Sequence, residues 1–278
     1  MKNFKFNYDS IQGYLIDMDG VIYKSKEVIP GAVKFIELLQ KSNTPFLFLT
    51  NNSQRSPRDI SKKLSYMKIH VKEENILTCA QATARFLASQ ENKGTVYVIG
   101  EGGLHQALYE EGFAIDEAHP EFVIIGEGRT ANMEMIDHCV DLVYKGAKLI
   151  STNPDYSCPT SIGLRSGCGA IVSLIEKATG KKSFSIGKPN PIILREARRE
   201  INLPLDSLAM VGDTMETDIL GAVQMGIQSI LVLSGGTHSS QIGSFAYSPG
   251  KVVSSIEDLI SLEQGRQNKL MVENTVKN

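Results

Sequence analysis

Residues 14–20, Tyr14-Leu15-Ile16-Asp17-Met18-Asp19-Gly20, form an apolar run that stops at two carboxylates one residue apart. The run reads as a buried strand that delivers acids to the edge of a sheet. Ionised aspartate is rarely buried alone, so two of them directly after a core strand imply a cation, a proton-transfer role or plain exposure. Which of these applies depends on what else converges on Asp17 and Asp19.

Outward from this strand, short β-rich runs alternate with helical periodicity, the pattern of crossover units and a parallel sheet. Pro30 and Gly31 open a helix with Val33, Ile36 and Leu39 on one face, and residues 45–50, Pro-Phe-Leu-Phe-Leu-Thr, form a second strand. Ser56, Pro57 and Asp59 mark a capped helix start that continues through Ile60, Leu64 and Met67. A second α/β series begins near Cys79, with strands predicted at 95–99, 122–125 and 148–151 and helices at 104–111, 133–144 and 169–179. Strands at 184–186, 208–211 and 229–233 then alternate with helices from Pro191 and from about Thr217. The stretch from Glu263 onward is polar and mixed in charge, and reads as a frayed tail.

The 278 residues suffice for one large domain or two ordinary ones, and 42% hydrophobic with 22% charged residues is a soluble globular composition. A net charge of -2 gives no general field for nucleic acid or acidic membrane, so affinity for anions must be local. Cys79, Cys139, Cys158 and Cys168 form no CxxC pair and the five histidines no HxxxH or HExxH spacing, which argues against structural zinc. No apolar run has the length of a membrane span, and the first seven residues lack an h-region. A cytoplasmic protein with reduced thiols is the expectation.

Four predicted strand ends finish in groups that suit phosphoryl transfer: Asp17 and Asp19; Thr50-Asn51-Asn52; Gly187-Lys188-Pro189; and Gly212-Asp213, with Thr217-Asp218 downstream. Ligands of open parallel sheets bind outside the carboxyl ends of strands. Asp17 is the candidate nucleophile, able to form an aspartyl-phosphate, and Asp19 the candidate general acid and then base. Attack of one anion on another costs about 4 kcal/mol per pair of unit charges at about 4 Å and an effective dielectric of about 20. A divalent cation held by Asp17, the Asp19 backbone carbonyl and Asp213 reverses that sign, and oxygen-only ligands suit Mg²⁺. Lys188 and the Thr50 hydroxyl are phosphate-binding candidates, with backbone N–H groups at Asn51 and Asn52 as an anion nest. Asp218 is placed behind the ligands, as an orienting group.

Each feature also has a plain structural reading: Asp19-Gly20 a turn, residues 50–52 a loop before a helix, Lys188 a solvated cation, and Asp213 or Asp218 an N-cap. Their ordered recurrence at successive strand ends favours chemistry. The glycines of residues 100–103 begin like a dinucleotide loop, but His105 stands where the third glycine belongs.

Together, Asp17-Met18-Asp19-Gly20, Thr50, Lys188 and Gly212-Asp213 with Asp218 resemble, in order and spacing, the four motifs of the haloacid dehalogenase superfamily. The stretches at 49–53, 152–155, 187–189 and 212–219 resemble its subfamily IIA, the NagD-like phosphatases. The resemblance implies an α/β fold: a Rossmann-like core with a parallel sheet, formed by residues 1–78 and 184–262, with an α/β cap inserted at 79–183 and a polar tail at 263–278. It implies Mg²⁺-dependent hydrolysis of phosphomonoesters through an aspartyl-phosphate; dehalogenases of the superfamily lack the acid that Asp19 supplies. It also makes the cap the selector of substrate, with Asn153, Asp155, Cys158 and Arg165, on the loop before the helix at 169–179, as candidates for leaving-group contacts. Related pyridoxal phosphatases carry histidine where Cys158 stands, which turns the expectation toward nucleotide monophosphates, sugar phosphates or a range of similar esters. The partner implied is a small phosphorylated metabolite, with neither nucleic-acid polymer nor membrane, and a homo-oligomer is compatible with it. A phosphomutase using the same two aspartates, or a phospho-accepting receiver, are the competing readings.

Overall fold

A computed structural model of the chain describes residues 6–90, 94–129, 131–160 and 163–276. The chain packs as two compact units, one comprising Met1–Leu49, Lys63–Asn75 and Leu194–Asn278, the other Thr50–Lys62 and Ile76–Ile193. These limits differ from the 78/79 and 183/184 boundaries expected from sequence. The reason is local: Asn51 Nδ2 donates to Asp155 Oδ2 at 3.0 Å, the Gly103 N–H to the Gln54 carbonyl at 2.9 Å, and the Glu127 N–H to Ser53 Oγ at 2.8 Å. The loop after residue 49 spends its polar groups on the second unit.

In the first unit, the strands Lys251–Val253, Gln228–Val232, Leu208–Gly212, Gly13–Ile16 and Phe46–Thr50 lie side by side in that order. All pairings are parallel, with Leu15 opposite Met210 on one side and Leu47 on the other. Gly13–Ile16 is buried at every position, as a central parallel strand covered on both faces must be. The helix Ala32–Lys41 buries Ala32, Phe35, Ile36 and Leu39, an i, i+3, i+4, i+7 stripe.

The expected frayed tail is a helix instead, Asp258–Val276. Glu263 and Arg266 on it are 0% and 6% exposed, because they close a polar network with the first strand. The Tyr14 hydroxyl donates to Glu263 Oε2 at 2.6 Å, Arg266 Nε to the same oxygen at 2.9 Å, and Arg266 Nη2 to Thr44 Oγ1 at 3.3 Å. What reads in sequence as solvated charge is a buried ion pair with its hydrogen bonds satisfied.

The second unit carries its own parallel sheet, ordered Phe184–Ser185, Lys148–Ser151, Phe122–Ile125, Thr95–Ile99, Ala114–Ile115. Thr78 opens the helix Cys79–Ala88 with a reciprocal capping box to Gln81, and Asn132 caps Met133–Tyr144 through the Met135 N–H. Ile125, Cys139, Leu142, Leu149 and Val172 lie in one apolar cluster between this sheet and its helices. The segment expected as a loop before the helix Cys168–Thr179 is an antiparallel hairpin of Ser157–Thr160 with Gly163–Ser166, which sets Cys158 directly opposite Arg165.

Candidate active site

Asp17 leaves the central strand with its N–H on the Val211 carbonyl at 2.9 Å, so the register that aligns Ile16 with Val211 also fixes where the carboxylate starts. Asp17, Asp213 and Asp218 each offer an oxygen within 4.8 Å of the others, and all three are buried. Three like charges so close repel by about 3–4 kcal/mol per pair at an effective dielectric of about 20, which favours a divalent cation among them. Oxygen donors alone match a hard ion.

The backbone around this cluster is shaped to it. Gly20 has φ +82°, and a Cβ there would stand 2.3 Å from Asp213 Oδ2; one on Gly235 would stand 2.0 Å away. The Gly236 N–H donates to Asp213 Oδ2 at 2.5 Å, the Thr214 hydroxyl to Asp213 Oδ1 at 3.2 Å, and the Thr237 N–H to the Asp213 carbonyl at 3.0 Å. A wide helical turn, Met215–Ile219, follows at once and swings Asp218 back, where its Oδ2 accepts from the Thr214 N–H at 3.2 Å. The sequence reading set Asp218 behind the ligands; its carboxylate offers an oxygen within the same 4.8 Å as Asp17 and Asp213. The structure also adds Gly235, Gly236 and Thr237, whose only trace in the sequence is a Gly-Gly pair just after the strand Gln228–Val232. Asp19 is exposed, two residues past Asp17 and across a turn in which the Gly20 N–H donates to the Tyr23 carbonyl at 2.8 Å.

In the second unit, Thr50 and Lys188 are 7% and 3% exposed. Asn51 joins their loops: its Oδ1 accepts from the Lys188 N–H at 2.8 Å and its Nδ2 donates to the Lys188 carbonyl at 3.0 Å. The Asn52 N–H, expected in an anion nest, donates to Thr50 Oγ1 at 3.1 Å. Asn153, expected at the leaving group, is fully buried; its Nδ2 donates to the Asn51 carbonyl at 2.8 Å and its Oδ1 accepts from the Asp155 N–H at 3.0 Å. Cys158 and Arg165 share a partner that sequence reasoning missed. Glu127, 5% exposed, accepts from Arg165 Nη2 at 2.5 Å and from Cys158 Sγ at 3.1 Å. Burial, then the Glu127 charge, pushes the Cys158 thiol up to about 12, so it is a neutral donor. Burial works against the Arg165 charge, but the Glu127 hydrogen bond and charge outweigh it and raise its pKa.

Two α/β units, one inserted in the other, with a carboxylate cluster after a central parallel strand, define a class before any name. Family descriptions fix it: "Haloacid dehalogenase-like hydrolase" matches residues 14–114 and a HAD-hydrolase-like family residues 185–259. The chain belongs to the haloacid dehalogenase superfamily, in its NagD-like branch, with a Rossmann-like core and an inserted α/β cap. It is 42% identical over 246 residues to the dihydroxyacetone phosphatase of Corynebacterium glutamicum, covering 88% of this chain and 90% of that one. To the ribonucleotide monophosphatase NagD of Escherichia coli K12 it is 36% identical over 250 residues, covering 90% and 98%. Among solved structures, a 4-nitrophenylphosphatase from Thermotoga maritima superposes with TM-score 0.88 at 32% identity, over 91% of this chain and 98% of that one.

Proposed function

We propose that this phosphatase hydrolyses small phosphomonoesters through an aspartyl-phosphate on Asp17, with Mg²⁺ held by Asp17, Asp213, Asp218 and the Asp19 carbonyl. The buried cluster of three carboxylates directly after the central strand is the observation that carries this reading. The cation supplies charge neutralisation at the phosphoryl oxygens. A carboxylate oxygen of Asp17 attacks phosphorus while Asp19 gives a proton to the departing alcohol oxygen; the P–O ester bond breaks and the alcohol leaves. Asp19, now a carboxylate, takes a proton from water as that water attacks the same phosphorus, which releases inorganic phosphate and restores Asp17. The exposure of Asp19 suits a group that must meet both alcohol and water. Thr50 and Lys188 bind the phosphoryl oxygens, and Asn51 holds the Lys188 backbone in place.

Sugar phosphates, triose phosphates and nucleoside monophosphates are the substrate classes proposed, in line with the names of the relatives. The four cysteines are free, which suits a setting that keeps thiols reduced, and no helix of the described residues is long and apolar enough to cross a membrane. The test is phosphate release from a panel of phosphomonoesters with Mg²⁺. Sustained release that Asp17→Asn abolishes and Asp19→Asn lowers is expected. Release that persists in Asp17→Asn removes the nucleophile, isomerised sugar phosphate without release indicates a mutase, and a single stoichiometric phosphorylation indicates a receiver.

A further inference from the structure

Two of the four cap residues singled out by sequence, Cys158 and Arg165, converge on an acid that none of the phosphoryl-transfer roles uses. Glu127 follows the strand Phe122–Ile125, is 5% exposed, and is anchored by its own N–H on Ser53 Oγ. Its two oxygens are divided between the Arg165 guanidinium and the Cys158 thiol, which the hairpin register places opposite each other. Arg165 keeps 21% of its side chain exposed, with Nη2 on Glu127 and Nη1 donating to the Ser166 carbonyl at 3.3 Å. Asp155, whose charge reaches Cys158, is tied to Asn51, which clasps Lys188, so a row of polar residues runs within one unit from Lys188 to the Glu127 partner Cys158.

We propose that Glu127 is a positioning residue that sets the charge selectivity for the leaving group, favouring neutral, hydroxyl-bearing alcohols over anionic ones. The inference rests on the phosphatase reading above. An arginine standing alone would attract a second carboxylate or phosphate on the substrate. Paired with Glu127 it carries no net charge, and the Glu101 carboxylate adds a negative one within electrostatic reach of it. A hydroxyl accepts from the N–H groups of Arg165 not spent on Glu127 or Ser166 without disturbing the pair. An anionic group must compete with Glu127 for the guanidinium and meets two carboxylates as it does so.

The experiment compares kcat/KM for glycerol 3-phosphate and 3-phosphoglycerate, esters of three-carbon alcohols that differ in a carboxylate. Wild type is expected to prefer glycerol 3-phosphate at least about tenfold, the scale of one unit charge across a partly solvated contact. Glu127→Gln leaves Arg165 uncompensated and shifts the ratio about tenfold toward 3-phosphoglycerate, whereas Arg165→Gln leaves Glu127 uncompensated and shifts it the other way. A packing role alone moves both variants together, so shifts of opposite sign support the proposal. Equal wild-type rates, or a ratio unmoved in both variants, overturn it while p-nitrophenyl phosphate is still turned over. Loss of all phosphate release from wild type, p-nitrophenyl phosphate included, instead overturns the phosphatase reading.

Discussion

Two buried charge clusters flank one strand, Gly13–Ile16, and they are built on opposite rules. On the side of Tyr14, acid meets base: Glu263 is hydrogen-bonded to Arg266 and to the Tyr14 hydroxyl. Past Ile16, acid meets acid, with Asp17, Asp213 and Asp218 converging within 4.8 Å. Complementary charges lower the energy of the fold by themselves. Like charges raise it, and a protein keeps such an arrangement where a ligand restores the balance. The first cluster holds the strand; the second uses it.

Breaking the second cluster has the largest expected effect on activity. Asp17→Asn is expected to lower kcat by about 10³-fold or more while circular dichroism stays native, because the proposed nucleophile is lost and the fold is not. Chelation with EDTA lowers phosphate release by about 10²-fold or more, restored by adding Mg²⁺. The sharper contrast lies in stability. In EDTA, Asp218→Asn is expected to raise the melting temperature by removing one repulsive partner, and Mg²⁺ is expected to raise that of wild type more than that of the variant. A melting temperature that falls in the variant without metal shows that the cluster is self-compensating.

The first cluster answers the other way. Glu263→Gln strands a buried guanidinium and costs about 3 kcal/mol, read from denaturant unfolding, with kcat per folded molecule unchanged. The smallest effect is in pH. Burial works against the Glu263 charge, but hydrogen bonds from Arg266 and Tyr14 outweigh it and hold its carboxyl below the ordinary range. Its stabilisation is therefore complete above the ordinary carboxylate pKa and fades as pH falls through the lowered value in the folded state. The difference in unfolding free energy between wild type and Glu263→Gln shrinks over that acidic window; a constant difference argues against the pair.

Most strands of both sheets were legible because continuous apolar runs such as those at 14–16, 46–49 and 122–125 leave little choice once the flanking turns are read, whereas the short edge strands Ala114–Ile115 and Lys251–Val253 were not. The helix start at Ser56 was legible for the same kind of reason: a cap is local, and Ser56 Oγ does accept from the Asp59 N–H, at 3.3 Å. What sequence could not supply was pairing at a distance. Glu263 and Arg266 lie some 250 residues from Tyr14 and look like surface charge until the strand that buries them is in place. The hairpin at 157–166 lacks an apolar run, since Ser157, Pro159 and Arg165 give no period-2 signal. The wide turn at Met215–Ile219, which brings Asp218 within 4.8 Å of Asp17 and Asp213, has no sequence signature of its own. Glu127 stayed hidden because its partners come from a different strand pair.

The network that joins Tyr14 to the last helix also orders events in time. The strand that leads to Asp17 is made before its partner, since Glu263 follows Tyr14 by 249 residues. Domains fold as their chain emerges, so this contact of the strand waits until Glu263 has been made. A nascent chain that stalls before Glu263 has a complete second unit and an unfinished first one, so a truncated product is expected to be a soluble cap joined to an inactive, protease-sensitive core.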